Sequence, residues 1–295
     1  MAHLTTTPSG IWVLQALLGV ESMPTSLRLR PFIPSVDGDG TVATDLGDVP
    51  LRQTAEYASL VAAGVIDQKG RVDDAVRDWM AVIGRPQREI MVVIRRPRPT
   101  DGTGPDDAAA LVQERTMSIC QRERWLAMIA RSDDHVVIAP LGEATQADAQ
   151  VELISDAILH AFSAGSPAPM AGVNVPSAAL EQALTENIGK DRHVIATALA
   201  RLGLSPDQVA ILSAVTRMDE SAMAVVAVID HGIKKTVHPD VLTVADTELG
   251  RITISYTTGP DGTRWTSIWP TTAIGLRGDL ANLLNAAKTA AAAMA

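Results

Sequence analysis

One cysteine in 295 residues, Cys120, excludes an intramolecular disulfide and with it a small scaffold stapled by bridges. A lone thiol is expected of a reducing compartment, here the cytoplasm. Long hydrophobic runs are also missing: the longest, Ala222 to Ile229, is less than half of the ~20 residues that span a bilayer, and its valines suit a buried strand. Direct membrane insertion is not expected. Met1 to Gly10 has no positive region, and no small-residue cleavage pattern follows Ile11 to Leu18, so no signal peptide is expected. Excess positive charge is absent as well, with 25 Lys and Arg against 34 Asp and Glu, a net charge of -9. Nucleic acid, whose binding rests on clustered cations that release counterions, is therefore not an expected partner.

The usual catalytic and cofactor signatures are lacking too. The chain has no phosphate loop, no dinucleotide fingerprint after a strand and no nucleophile elbow, and Gly102-Thr-Gly104 lacks the helix that would aim amides at a phosphate. A calcium loop on Asp37, Asp39 and Asp45 fails because Val42 replaces the central glycine and Asp48 the final glutamate. The six histidines, at 3, 135, 160, 193, 231 and 238, show no zinc-ligand spacing, and His231 and His238 suit a strand end. Asp133-Asp134-His135 reads as a polar turn and Cys120 as a small buried filler. Tryptophans 12, 79, 125, 265 and 269 could be stacking platforms, but their amphipathic positions favour core packing. No cofactor or metal is expected, and a binding protein outranks an enzyme.

What is present is two halves with similar patterning. Pro8-Ser9-Gly-Ile-Trp-Val-Leu-Gln15 and Pro176-Ser177-Ala-Ala-Leu-Glu-Gln182 each place a helix after a short extended segment. Further helices meet at Gly64 and Gly203, where glycine can take the left-handed conformation that ends a helix. Ser205-Pro206-Asp207-Gln208 combines a capping hydroxyl, proline at the first helical position and glutamine three after the cap, which predicts a helix from Pro206 to about Thr216. Strands are expected at 90–94, 111–120, 124–130 and 136–139, then at 222–229, 241–245, 250–257 and 265–269, two antiparallel meanders each followed by a helix. Those two helices are expected to be capped at Thr145 and to begin near Arg277. Two stretches, Asp37 to Gly40 and Pro97 to Asp107, carry glycines, prolines and acids that suit long connections.

In the second meander, Asp246-Thr247-x-x-Gly250-Arg251-Ile252 enters an alternating strand and Gly259-Pro-Asp-Gly262 turns into Arg264-Trp265, so Arg251 and Trp265 are expected to act structurally. This hairpin resembles the EspG family of type VII (ESX) secretion chaperones, as do Gly10-Ile-Trp12, Leu27-Arg-Leu-Arg-Pro31, Gly64-Val-Ile-Asp67 and Val76-Arg-Asp-Trp79 in the same order. The resemblance covers nearly the whole chain. It implies an α+β, quasi-twofold, two-lobed fold with an antiparallel central sheet flanked by helical bundles, in one domain over 1–295 with pseudo-repeats of about 1–165 and 166–295.

It also implies a cytoplasmic, non-enzymatic chaperone that covers the apolar tip of the PPE protein in a PE–PPE heterodimer. By order of elements, the partner-binding regions fall on Pro97, Arg98, Thr100, Asp101, Gly102 and Gly104 in the loop, on Leu202, Leu204 and Gln208 in the helical bundle, and on Val225, Ala227 and Ile229 in a strand. Both faces of that strand are apolar, so the outer one needs a cover from this chain's helices or from a partner. An enzyme or small-molecule-binding protein with a pocket between the lobes stays open as an alternative, and so does self-association.

Overall fold

The computed structural model describes residues 3–29, 41–44, 47–98, 112–162, 165–187, 190–217, 220–232 and 234–294. In chain order the first elements are β1 (Leu4–Thr6), α1 (Pro8–Leu18), β2 (Thr41–Thr44), β3 (Gly47–Pro50), α2 (Ala55–Ala62), α3 (Asp74–Gly84) and β4 (Arg88–Pro97). Then come β5 (Val112–Arg122), β6 (Trp125–Ser132), β7 (His135–Glu143), α4 (Ala147–Ala161), β8 (Val173–Pro176), α5 (Ser177–Thr185), α6 (Arg192–Ala200) and α7 (Pro206–Val215). The rest is β9 (Ala222–His231), β10 (Lys235–Val237), β11 (Leu242–Thr247), β12 (Gly250–Thr258), β13 (Arg264–Pro270) and α8 (Ala273–Met294). The α+β class holds. Ten strands hydrogen-bond in the order β1-β7-β6-β5-β4-β9-β11-β12-β13-β8, β10 adds to β9, and β2 pairs with β3.

Local chemistry sets several of these boundaries. The Thr7 hydroxyl accepts the Gly10 N–H and Pro8 fills the first position of α1. Asp73 caps α3 by accepting from Ala75 and Val76. Ser205 and Gln208 form the expected reciprocal capping box, and α7 runs to Val215 with Thr216 as its cap. Gly64 and Gly203 take positive φ, 73° and 79°, as expected after α2 and α6. Two helix starts differ from expectation. Helix α8 begins at Ala273 because the Thr272 hydroxyl accepts the Gly275 N–H, and α4 begins at Ala147, with Gln146 rather than Thr145 at its cap position. Of the two expected long connections, Asp37 to Gly40 and the Pro99 to Asp107 part of the other lie outside the described residues.

The chain divides into two compact units. Unit 1 is Met1–Met91, Arg115–Leu153 and Ile229–Thr236; unit 2 is Val92–Glu114, Ile154–Val228 and Val237–Ala295. In unit 1, Ile11 and Leu14 of α1 and Met80 and Ile83 of α3 pack with Leu4, Ile129 and Ile138 of the sheet, whose register sets Leu4 opposite Ile138 and Ile138 opposite Ile129. Each such side chain contributes about 1.5–3 kcal/mol through removal from water. Beneath this core, Glu89 is 1% exposed; it accepts a 2.8 Å hydrogen bond from the Ser118 hydroxyl and lies 3.1 Å from His231 Nε2. Burial first, and the Glu89 charge second, push the Cys120 thiol well above the usual cysteine range. At the surface of the same unit, Asp67 is held below the usual carboxylate range by the Arg71 backbone N–H first, against an opposing effect of desolvation, with the Arg71 side chain and the Lys69 N–H adding to the lowering.

In unit 2, α5, α6 and α7 supply Leu180, Leu199, Leu204 and Leu212 to a cluster with Ala245, Ile252 and Ile268 of the sheet. The β11–β12 hairpin that opened the family resemblance is tied down by charge. Arg251, 2% exposed, donates through both Nε and Nη2 to Asp246, with Nη2–Oδ2 at 2.7 Å, and its guanidinium stands 5.7 Å from the Phe162 ring centroid. Its backbone binds the preceding segment, donating to Ser166 O and accepting from Ala168 N. Gly250, at φ 122°, lets that segment approach, since an added Cβ would meet Ala168 Cα at 2.6 Å. The expected structural role of Arg251 therefore has a specific form, a buried bidentate ion pair.

Candidate functional site

The helices of unit 2 offer a surface groove of about 390 Å³ between α5 and α6. Small side chains, Ala183 and Ala198 among them, make its walls low, Val194 and Leu202 supply apolar surface, and His193 and Arg201 stand among its polar lining. Both helices are pinned at the ends that meet: Asn187 Nδ2 donates to Ala183 O at 2.7 Å, Lys190 Nζ to Asn187 Oδ1 at 3.2 Å, and Asp191 caps α6 by accepting the His193 N–H at 2.8 Å. The groove can seat an apolar side chain or a helix tip, with charge at its edge to fix orientation.

The strand expected to contribute to the site, β9, turns one of its faces to the side of the sheet that carries these helices. Register pairs Ala245 with Met223 and Thr243 with Val225, so the alternation sets Met223, Val225 and Ala227 on the face of Ala245, the face that packs with α5–α7. Ala224, Val226 and Val228 point to the opposite face and are fully buried. Ala227 and Ile229 are buried by this chain itself, and Val225 is half-buried. The chain thus supplies much of the cover that the second face needed. Leu204 and Gln208 are also buried, Gln208 being spent on the cap of α7 and on a 3.1 Å hydrogen bond to Ala171 O, whereas Leu202 is half-buried in the groove. Pro97 is half-buried at the end of β4 and Arg98 is exposed; Thr100, Asp101, Gly102 and Gly104 lie outside the described residues.

Sequence reasoning missed Val194 and His193. The signal was available: Ile195 and Leu199 hold the buried stripe of α6 at i and i+4, which leaves Val194 off the stripe and 40% exposed. The tryptophans correct an expectation. Trp12 and Trp79 pack on the unit 1 core while only partly buried, but Trp125, the first residue of β6, and Trp269, the last but one of β13, are 46% and 50% exposed. Trp265 is half-buried rather than fully buried.

Among the described residues no three His, Cys, Asp or Glu side chains gather as metal ligands, and no helix is long and apolar enough to cross a membrane. The nearest approach to a nucleophile and base is Ser118–Glu89–His231. It cannot act as one: the Ser118 hydroxyl donates to the carboxylate, not to the imidazole, and Ser118 is fully buried.

The model of the EspG family matches residues 7–282. The ESX-2 secretion-associated protein EspG2 of Mycobacterium tuberculosis, from strains CDC 1551 / Oshkosh and ATCC 25618 / H37Rv, is 28% identical over 261 residues, 86% of this chain and 85% of the relative. Among solved structures, the Mycobacterium tuberculosis type VII secretion system chaperone EspG5, in complex with a PE25–PPE41 dimer, superimposes with a TM-score of 0.72 over 96% of each chain at 20% identity. That likeness is one of fold.

Proposed function

We propose that this chain, which belongs to the EspG family, binds a PE–PPE heterodimer through the PPE subunit, keeps it soluble in the cytoplasm and directs it to a type VII secretion system. EspG family chaperones are non-enzymatic. The single observation that carries the partner is the full-length likeness to EspG5, whose solved structure holds a PE25–PPE41 dimer. The mechanism is physical shielding. A helical tip with exposed apolar side chains associates indiscriminately, and a groove that removes it from water lowers its free energy in proportion to the area covered. Affinity then rests on a few anchors, because association costs offset most of the gain from burial.

The proposed surface combines the loop of Pro97, Arg98, Thr100, Asp101, Gly102 and Gly104 with Leu202 and Val225, while Leu204, Gln208, Ala227 and Ile229 act from beneath by holding that surface in place. Support comes from the half-exposed Leu202 and Val225 and from the α5–α6 groove beside Leu202. We further propose that the fold is quasi-twofold, two-lobed over a single 1–295 domain, with repeats of about 1–165 and 166–295. The strand order supports this: β1-β7-β6-β5-β4 read inward from one edge has its counterpart in β8-β13-β12-β11-β9 read inward from the other.

The test is co-expression with each PE–PPE pair encoded beside a type VII secretion cluster of the source organism, followed by size-exclusion chromatography with light scattering. A 1:1:1 species is expected with one pair. Failure with every such pair would overturn the partner assignment.

A further inference from the structure

The tryptophans that sequence analysis set aside as core point to a second surface, in unit 1. A groove of about 520 Å³ runs between α3 and the β6–β7 hairpin, within the size range of built ligand sites. Trp79 and Val82 line it from α3 and Trp125 from the start of β6, over a base of Leu126 and Ala127, both buried. A register shift between Leu126 and Ala127, which pair with Gly142 and Pro140, breaks the β6–β7 ladder beneath Trp125. Such bulges re-aim neighbouring side chains, and here the adjacent indole stands 46% exposed.

The charges around the groove select its occupant. Arg124 already lies over the Trp125 ring, 5.2 Å from its centroid, and is held by Glu143 at 2.9 Å. Arg122 also lines the groove and donates to the Ala81 carbonyl at 3.3 Å, so its charge offsets one of the two carboxylates that remain and leaves an excess of one negative charge. Asp78 and Glu123 remain at the rim, both exposed, with no ion-pair partner among the described residues. An acidic segment would meet like charge there. A purely apolar one would fill the space between the indoles yet strip water from two carboxylates without replacing it. A side chain with an apolar stem and a cationic head satisfies both parts: the stem covers Trp79, Trp125 and Val82, and the head reaches the carboxylates and the indole face.

We propose that this groove is a docking site for a basic, apolar segment of a partner protein, with an arginine or lysine seated against Trp125 and its charge met by Asp78 and Glu123. The proposal rests on unit 1 residues alone and is independent of the surface assigned in unit 2.

The test uses the full chain and three acetylated five-residue peptides with leucines flanking a central arginine, glutamate or leucine. Indole N–H resonances report binding, with Trp125 assigned from a Trp125→Phe variant. The arginine peptide is expected to shift the Trp125 resonance saturably, more weakly as salt rises, and to bind about tenfold less tightly to the Asp78→Asn/Glu123→Gln double variant. Both replaced side chains are exposed, so the variant is expected to melt as the parent does, and its loss reads as binding. Equal shifts with the glutamate or leucine peptide, no saturable shift with any peptide, or unchanged affinity in the double variant would overturn the proposal.

Discussion

Arg251→Met removes a buried guanidinium while keeping much of the side chain's volume, so it isolates the ion pair from the packing. Arg251 is 2% exposed and holds both carboxylate oxygens of Asp246, whose side chain is 20% exposed. Removing one partner of a buried pair costs about 3–5 kcal/mol, mostly because the other charge is left without compensation. Partial exposure lets Asp246 regain some water, which places the expected loss near 3 kcal/mol, the lower end of that range. Asp246→Asn should be the more damaging change, since it strands the charge that water cannot reach. Replacing both, with Arg251→Met and Asp246→Leu together, should recover most of the stability because no isolated charge remains. The backbone hydrogen bonds of residue 251 to Ser166 and Ala168 survive all these changes, so the cycle reports on the side chains. Urea denaturation followed by circular dichroism measures it. Single variants that both lie within about 0.5 kcal/mol of the parent, the scatter of ordinary surface changes, would refute the reading of this hairpin as charge-locked.

Three further outcomes follow from the same geometry. The raised thiol of Cys120 keeps its stability contribution below the usual cysteine pKa of about 8.5 and loses it as pH rises from there through the raised folded value, so Cys120→Ala should flatten the alkaline limb of the stability profile; rapid labelling of the native thiol by a disulfide reagent at neutral pH would contradict its burial. Ser205→Ala breaks the capping box of α7 and should cost about 1 kcal/mol in urea titrations, whereas the exposed Thr197→Ala on α6 should cost less. Val225→Glu should abolish PE–PPE capture with near-parent melting, while Val226→Glu, on the fully buried face, should melt the fold itself; capture retained at parent affinity by a folded Val225→Glu removes this strand from the recognition surface.

The elements were legible where a short-range rule governs them. Period-two patterning located all eight strands of the two meanders, since each has one face or both against the core, and the Ser205–Gln208 spacing located α7 because a capping box is satisfied within four residues. Three features were beyond that reach. The Thr272 cap of α8 lacks the glutamine or glutamate that completes a capping box, so only the geometry exposes it. The Glu89–His231 contact joins residues 142 apart, and no local pattern couples them. The apolar second face of β9 told that a cover was needed but not whose, and this chain's own burial of Ala227 moves the exposed part of the proposed site to Val225.

The residues that revealed the family and those that would choose its partner differ physically. Asp246, Gly250 and Arg251 answer to one another: a bidentate pair needs both charges, and the turn behind it needs a positive φ, so few substitutions keep the hairpin closed. Trp12 and Trp79 are constrained in the same way by the unit 1 core against which they pack. Val194, Leu202 and Val225 face partly outward, where a change of side chain leaves the fold intact and alters only what can rest on it. A scaffold held by buried charge and a surface held by nothing else can therefore diverge at different rates. That is why the family resemblance shows in the hairpin, while the proposed PE–PPE partner has to be identified from a complex.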